Sequence, residues 1–385
     1  MDSVYLDNAA TTPLAPEVRA AMAPYFEARF GNPSSRHSLG VEAARAIAEA
    51  REHVAAATGA RVENVVFTSG GTEANNLAVQ GLARANRKRG GHVLVGPTEH
   101  PCVRDAARAL AEEGFEVESA RLDACGGLDV EHALSRVRAD TVLVAQMLVN
   151  NEFGTIYPVA RLARLVRAQA PHALVHVDAV QAAGKVELSL GELGIHSLAL
   201  SAHKFHGPKG AGALVLADGV RPRPLVFGGD QEQGLRSGTE NVAGIVGLGR
   251  ATRLVEERLT RTQRHLAALR AQLVEELASV AGVELLEPGG RESVTPAIAS
   301  LLLPGAPAEA WQHHLEARGV HTSVGSACQA RKGTIPPALL ALGLDENRAR
   351  RVLRVSFSRE TTASDVTAAA AALREVARDM KAGAG

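Results

Sequence analysis

Six short apolar runs, rich in β-branched residues, limit the architecture of this chain more than any other feature. They are NVVFT at 64–68, HVLVG at 92–96, TVLVAQ at 141–146, ALVHVD at 173–178, SLALS at 197–201 and GALVL at 212–216. Between many of them lie amphipathic stretches, at 73–89, 101–113 and 158–169. Strands that alternate with helices imply a largely parallel sheet covered on both faces. After about Thr239 the pattern changes. Residues 240–279 read as one long helix or two. VELLE at 283–287, AIASLLL at 297–303, a helix near 307–318 and VLRVSF at 352–357 then suggest a smaller α+β unit. Thr362 and Asp365 have the spacing of a capping box that opens a last helix. The expected division is a large domain over 15–255 and a small domain built from 1–14 and 256–385.

Bulk properties narrow the class. With 385 residues the chain is long enough for a large core. Lys plus Arg is 42 and Asp plus Glu is 42, so the formal net charge is zero. That balance gives no reason to expect nucleic acid or an anionic membrane as the main partner. The three cysteines, Cys102, Cys125 and Cys328, are odd in number and widely spaced. They form neither a disulfide framework nor a zinc pattern, which fits a reducing cytoplasm. The first residues lack the basic start and apolar core of a signal peptide, and no apolar run approaches membrane-spanning length.

Four local features carry candidate chemistry. FTSGGTEANN (67–76) runs from a strand into a helix through two glycines, either as a phosphate cradle at Gly71 and Thr72 or as an ordinary capped turn. VHVDAVQ (175–181) puts Asp178 at the end of a buried-type strand, either to pair with a protonated ring nitrogen or to cap a turn. SAHKFHGPKGAG (201–212) places Lys204 just after an apolar strand. Desolvation there would make its amine a nucleophile, whereas a lone loop lysine is ordinarily solvated. His206 reads as a solvated loop residue. HTSVGSACQARKG (321–333) surrounds Cys328 with small residues and two cations, which favour an accessible thiolate. Cys102 and Cys125 read as small buried hydrophobes.

A phosphate cradle, an aspartate for a pyridinium and a Schiff-base lysine are together what pyridoxal phosphate (PLP) needs. Their order resembles the fold-type-I PLP enzymes, and more narrowly the class V aminotransferase group. The motifs YLDNAATTP (5–13), FGNPSSRHSLG (30–40), VVFTSGGTEANNLA (65–78), TEHPCV (98–103), VNNEFG (149–154), HVDAVQAAGK (176–185), SAHKFHGPKG (201–210), GLRSGTENV (234–242), SVGSACQ (323–329) and LRVSFSRETT (353–362) resemble the cysteine desulfurases of the NifS/IscS type. They run in order over nearly the whole chain.

The resemblance implies an α/β fold of PLP-transferase fold type I, with a seven-stranded, mostly parallel mixed sheet and a smaller α+β domain. It implies that Lys204 holds the cofactor covalently and that Asp178 pairs with its ring nitrogen. Gln181 and Asn151 would approach the ring's phenolic oxygen, and His100 would stack on the ring and move protons. Gly71, Thr72, Ser201 and His203 would hold the phosphate, joined by Thr239 from the partner subunit of a homodimer. Arg354, Asn8, Ala10 and Asn151 would bind L-cysteine. Cys328 would take the substrate sulfur as a persulfide, leaving alanine, and pass it to a sulfur acceptor or iron–sulfur scaffold protein. No resident metal is implied, although Cys328 is a candidate transient cluster ligand.

Departures from the family pattern fall at Gln329, Ala330, Arg331, Lys332 and Gly333 after the nucleophile. Others are the residue before Arg359, which is not glycine, and Leu148, where many members have histidine. Selenocysteine lyase or aminotransferase chemistry on the same fold is the nearest alternative. A nicotinamide dehydrogenase would need G-x-G-x-x-G after the first strand, which the sequence lacks.

Overall fold

The structure, a computed structural model, describes residues 3–325 and 335–382. Cys328 lies outside the described residues. The strands in chain order are β1 (Val4–Tyr5), β2 (Val65–Thr68), β3 (His92–Val95), β4 (Glu116–Ser119), β5 (Thr141–Met147), β6 (Leu174–Asp178), β7 (Ser197–Ser201), β8 (Gly212–Leu216), β9 (Glu284–Leu286), β10 (Ile298–Leu302), β11 (Val320–His321) and β12 (Val352–Ser356). The helices that matter below are α1 (Ser38–Thr58), α2 (Gly71–Ala85), α3 (Pro101–Glu112), α4 (Val159–Gln169), α5 (Val242–Leu277), α6 (Ala308–Glu316) and α7 (Ala363–Ala382).

Seven strands form one sheet in the order β2-β8-β7-β6-β5-β3-β4. All neighbours are parallel except the two pairs made by β8. Two reversals at β8 leave β2 running the same way as β7. The C-terminal ends of β2, β3, β5, β6 and β7 therefore open onto one edge. From β3 the chain steps outward to β4 and then crosses back to β5, so the order of winding switches between β3 and β5. Open α/β sheets bind ligands at that kind of position.

The central strands are apolar throughout because both faces are covered. One face packs Val65, Phe67, Val144, Val175 and Leu198 against Val54 of α1, Leu162 of α4 and Leu248 of α5. The other packs Val66, Val93, Leu143 and Leu214 against Leu77 of α2 and Leu110 of α3. A second core surrounds the antiparallel sheet β12-β10-β9, with Trp311 of α6 and Leu373 of α7 buried in it. At about 54 Å for its 36 residues, α5 is long enough to serve both cores. Its first half buries Ile245, Leu248, Ala251 and Leu254 in the main core, and its second half buries Leu266, Leu269, Leu273 and Leu277 in the other. The capping box at α7 is present: Thr362 N–H donates to Asp365 at 2.7 Å, and Asp365 N–H donates back to Thr362 Oγ1 at 3.2 Å.

The N-terminal segment joins the two cores. Leu6 and Asn8 N–H groups donate to His321 and Ser356 carbonyls, while Thr12 and Ala15 N–H groups donate to His203 and His206 carbonyls. Among the described residues no helix is long and apolar enough to cross a membrane.

The open edge at β2 is closed by charge rather than by another strand. Glu232 accepts the Phe67 N–H at 2.8 Å and a bidentate pair from Arg51 at 2.7 and 2.8 Å. Arg51 also donates to the Val65 carbonyl and lies over the Phe67 ring, 4.6 Å from its centroid. Edge N–H and C=O groups left bare would invite pairing with other chains. The Glu232 side chain is 3% exposed, so removing its cation leaves a buried charge. Arg51→Met should cost about 3 kcal/mol of stability in denaturant unfolding. Adding Glu232→Gln to Arg51→Met should cost less than the sum of the single losses. Additive losses would mean the pair carries no coupling.

Candidate active site

Each strand that ends at the common edge delivers a side chain to one cavity of about 240 Å³. Gly71 and Thr72 follow β2, His100 follows β3, Asn151 follows β5, Asp178 ends β6 with Gln181 after it, and Ser201 ends β7 with His203 and Lys204 after it. Arg354 reaches the cavity from β12, and Ala9 and Ala10 from the N-terminal segment.

Asp178 sits at its floor, 6% exposed. Its Oδ1 accepts the Val180 N–H at 2.9 Å and its Oδ2 accepts Asn75 Nδ2 at 2.8 Å. Burial pushes its pKa up. His100, the Val180 N–H, the Asn75 amide and Lys204 oppose that rise without cancelling it. Glu99, nearby and 3% exposed, has a Met147 N–H on Oε1 at 2.6 Å, whereas Oε2 is without a partner among the described residues. Burial, then the charge of Asp178, raises Glu99 well above the usual carboxylate range. It is the neutral one of the two acids.

His100 caps α3. The Cys102 N–H donates to its Nδ1 at 3.2 Å, so that nitrogen is an acceptor. The Cys102 thiol, 3.0 Å from the same nitrogen, can then only donate to it, and the neutral ring carries its proton on Nε2. Burial lowers the pKa of His100 and so favours that neutral form.

The Lys204 amine donates to the carbonyls of Ala9 and Ala10 at 2.7 and 2.8 Å. Gln181 Nε2 donates to the same Ala9 carbonyl at 2.8 Å. Arg354, 2% exposed, spends Nη1 on the Asn151 carbonyl at 2.7 Å and Nη2 on Asp7 at 2.9 Å. Its buried Nε has no partner among the described residues. His203 contacts Thr11 Oγ1 at 3.1 Å, and burial pulls its pKa down to about 4, so it is a neutral hydrogen-bonding group.

Of the residues picked out from sequence, eleven line this cavity: Ala10, Gly71, Thr72, His100, Asn151, Asp178, Gln181, Ser201, His203, Lys204 and Arg354. Asn8 does not. Its amide is tied to the Tyr5 and Ser356 carbonyls, and it lines a smaller cavity behind Lys204, with Lys185 and Arg359. Thr239 is exposed on the loop before α5. Three expectations are corrected. His206 is buried, its N–H bonded to Thr12 and its ring to the Pro13 carbonyl, because the N-terminal segment runs over it. Cys102 is half-buried in the cavity wall and bonded to His100, and Cys125 is exposed. Sequence reasoning missed Asn75 and Lys185. Asn75 is a polar residue one turn after the glycines, on the helix face that covers β6, and that position was its only signal.

The donor set fits pyridoxal phosphate. The N-terminus of a 15-residue helix favours an anion at one end of the cavity, beside Ser201 and His203. Gly71 is needed there, since a Cβ would come within 2.6 Å of Val180 Cγ2. A buried carboxylate for a cationic ring nitrogen and an amine line the same cavity. Among the described residues no cluster of three or more His, Cys, Asp or Glu side chains is placed to hold a metal.

The class-V aminotransferase profile matches residues 4–368. The chain belongs to the class-V aminotransferase family. Cysteine desulfurase IscS of Dictyoglomus turgidum is 38% identical to this class-V chain over 94% of it and 91% of the relative. A cysteine desulfurase of Bradyrhizobium diazoefficiens is 42% identical over 98% and 95%. Among solved structures, a NifS-like protein superposes with a TM-score of 0.91 at 36% identity, covering 97% of this chain and 99% of that one. SspA in complex with cysteine superposes at 0.82 and 32%, covering 94% and 100%. The cofactor of this chain is pyridoxal phosphate, that of the class-V cysteine desulfurases it matches.

Behind the cavity, Lys185 is buried with its Nζ 3.4 Å from Gln181 Oε1. Burial, then the charge of Lys204, lowers its pKa to about 7. Unfolding returns it to about 10.4. Between those values the unfolded chain binds the extra proton, so this group makes stability rise with pH. Its destabilising effect is complete below pH 7. Lys185→Met should therefore gain most on the wild type below pH 7, and the gain should shrink toward pH 10. Unfolding curves at several pH values check this, and a difference that does not vary with pH would refute it.

Proposed function

We infer that the chain is a PLP-dependent cysteine desulfurase that converts L-cysteine to L-alanine. The observation that carries this reading is one cavity holding an amine, Lys204, a buried carboxylate, Asp178, and a guanidinium, Arg354. Ser323, five residues before the thiol of Cys328, is paired backbone to backbone with Arg354. When bound, the cofactor supplies a carbonyl carbon for the substrate amine and an electron sink for charge developing at Cα.

The chain's own groups do the rest. Arg354, which lines the cavity, holds the substrate carboxylate. Lys204 takes the proton from Cα, and Asp178 keeps a proton at the ring nitrogen. His100 carries a proton on Nε2, ready to give. Asn151 and Gln181 would meet the ring's oxygen, and Gly71, Thr72, Ser201 and His203 would hold the phosphate. Cys328, as thiolate, attacks the substrate sulfur. An S–S bond forms, the Cβ–S bond breaks, and protons complete alanine, so cysteine plus enzyme thiol gives alanine plus enzyme persulfide. The persulfide sulfur passes to an acceptor, with iron–sulfur cluster assembly as the route and the cytoplasm, where free thiols persist, as the place.

The purified protein should be yellow and should bleach with borohydride. Lys204→Ala should release no alanine. Cys328→Ser should stay yellow and accumulate no persulfide. Persulfide labelling settles the nucleophile, and a colourless protein that ignores added PLP would remove the whole reading.

The working unit is a homodimer in which Thr239 serves the partner's phosphate. Support comes from the large apolar side chains this single chain leaves bare: Phe26 is 68% exposed, Phe30 71% and Phe227 80%. Large apolar side chains left that bare are suited to cover by a partner subunit. A dimer of one Lys204→Ala chain and one Thr239→Ala chain has one site with both lesions and one with neither. It should recover about half of the wild-type activity. Mixed dimers no better than the two parents would exclude shared sites.

A further inference from the structure

Strand β6 carries a second buried titratable group beside its aspartate. His176 and Asp178 are two residues apart, so they share one face of the strand. Helix α2 covers that face and brings Asn75 between them. His176, Asn75 and Ser197 are all fully buried. His176 Nδ1 is 2.9 Å from Ser197 Oγ, and its Nε2 is 2.9 Å from Asn75 Oδ1. Asn75 Nδ2 is 2.8 Å from Asp178 Oδ2 and 3.3 Å from Cys102 Sγ.

The direction of every bond follows from the chemistry of its ends. A carboxylate only accepts, so Asn75 must turn its NH₂ toward Asp178. Its two hydrogens are then spent on Asp178 and Cys102, and its oxygen faces His176. An amide oxygen only accepts, so His176 Nε2 must carry the hydrogen. Nδ1 then accepts from the Ser197 hydroxyl. Burial pushes His176 down to about 3, which leaves the ring neutral with one donor and one acceptor, as the chain of bonds requires. Asp178 already favours this orientation of the amide, and the His176 N–H on the amide oxygen reinforces it. The flipped one would set an oxygen against the carboxylate.

We propose that His176 is a positioning residue of the active site: by donating Nε2–H to Asn75 it locks the amide with its NH₂ on Asp178, and so keeps that carboxylate an acceptor for a protonated ring nitrogen. The proposal rests on the PLP reading above. Hydrogen bonds to a charged group are worth about 1.5–3 kcal/mol, so the effect is about tenfold or more in cofactor affinity.

The test uses holoenzyme loaded with PLP labelled at its ring nitrogen with ¹⁵N. In the wild type the label should resonate as a pyridinium. In His176→Leu it should move toward the neutral pyridine position, with PLP bound about tenfold more weakly. His176→Gln, which offers an N–H at the reach of Nε2, should restore both. A pyridinium signal and wild-type affinity in His176→Leu would overturn the proposal. Should that variant not fold, the wild-type histidine ¹⁵N spectrum decides alone: His176 must be the neutral Nε2–H tautomer, and the Nδ1–H tautomer or a cationic ring would refute it. Wild-type protein that takes up no PLP would instead defeat the parent reading.

Discussion

Two carboxylates are buried close together at the end of this sheet, and the structure can ionise only one of them. A buried charge without partners is expelled by proton uptake. Asp178 receives a backbone N–H, an amide and the field of Lys204, whereas Glu99 receives a single N–H and loses its proton to no one. Most of the local architecture serves that distinction. The turn after β6 supplies Val180, helix α2 supplies Asn75, and the turn after β7 supplies the lysine. Moving any of these elements would leave the negative charge unsupported where the chemistry needs it.

The same constraint explains the backbone around Lys204. Its amine meets two carbonyls that belong to the first residues of the chain. Those carbonyls are free to accept because the N-terminal segment runs as an irregular strand between two cores, its N–H groups bonded to Ser356 and His203. An ordinary loop lysine would have water there instead. The second core therefore does more than add bulk. It pins the segment that gives the lysine its surroundings, and it carries Arg354 to the opposite wall.

How far the sequence could be read depended on burial. The six main runs agree with strands to within a residue or so, since strands covered on both faces are apolar throughout. β4, with the sequence Glu-Val-Glu-Ser, went unnoticed because it is a half-exposed edge whose polar residues look like loop. β1 and β11 are two residues each and exist only because they find one another across most of the chain. At the site, the groups that meet a cofactor were visible because their residue types are unusual where they occur. The residues that support them were not. Asn75 and His176 acquire meaning only when helix α2 is laid over β6, and His206 looks solvated until the N-terminal segment is placed across it. Asn8 resembles a pocket residue by motif, yet its amide is consumed holding the segment in place.

The N-terminal segment also sets the order in which this protein can come into being on the ribosome. The groups that fix Asn8 and Ala9 belong to Ser356, nearly 350 residues later. At translation speeds of about 5–20 residues per second, that is an interval on the order of tens of seconds. The sheet, with Asp178 and Lys204 already on it, can form long before then. The lysine's carbonyl neighbours cannot be locked in place until the strand near the end of the chain has emerged. Capture of the cofactor in its final setting is thus a closing event of synthesis, and for about a third of its time on the ribosome, between the emergence of β8 and that of β12, the nascent chain carries half a site.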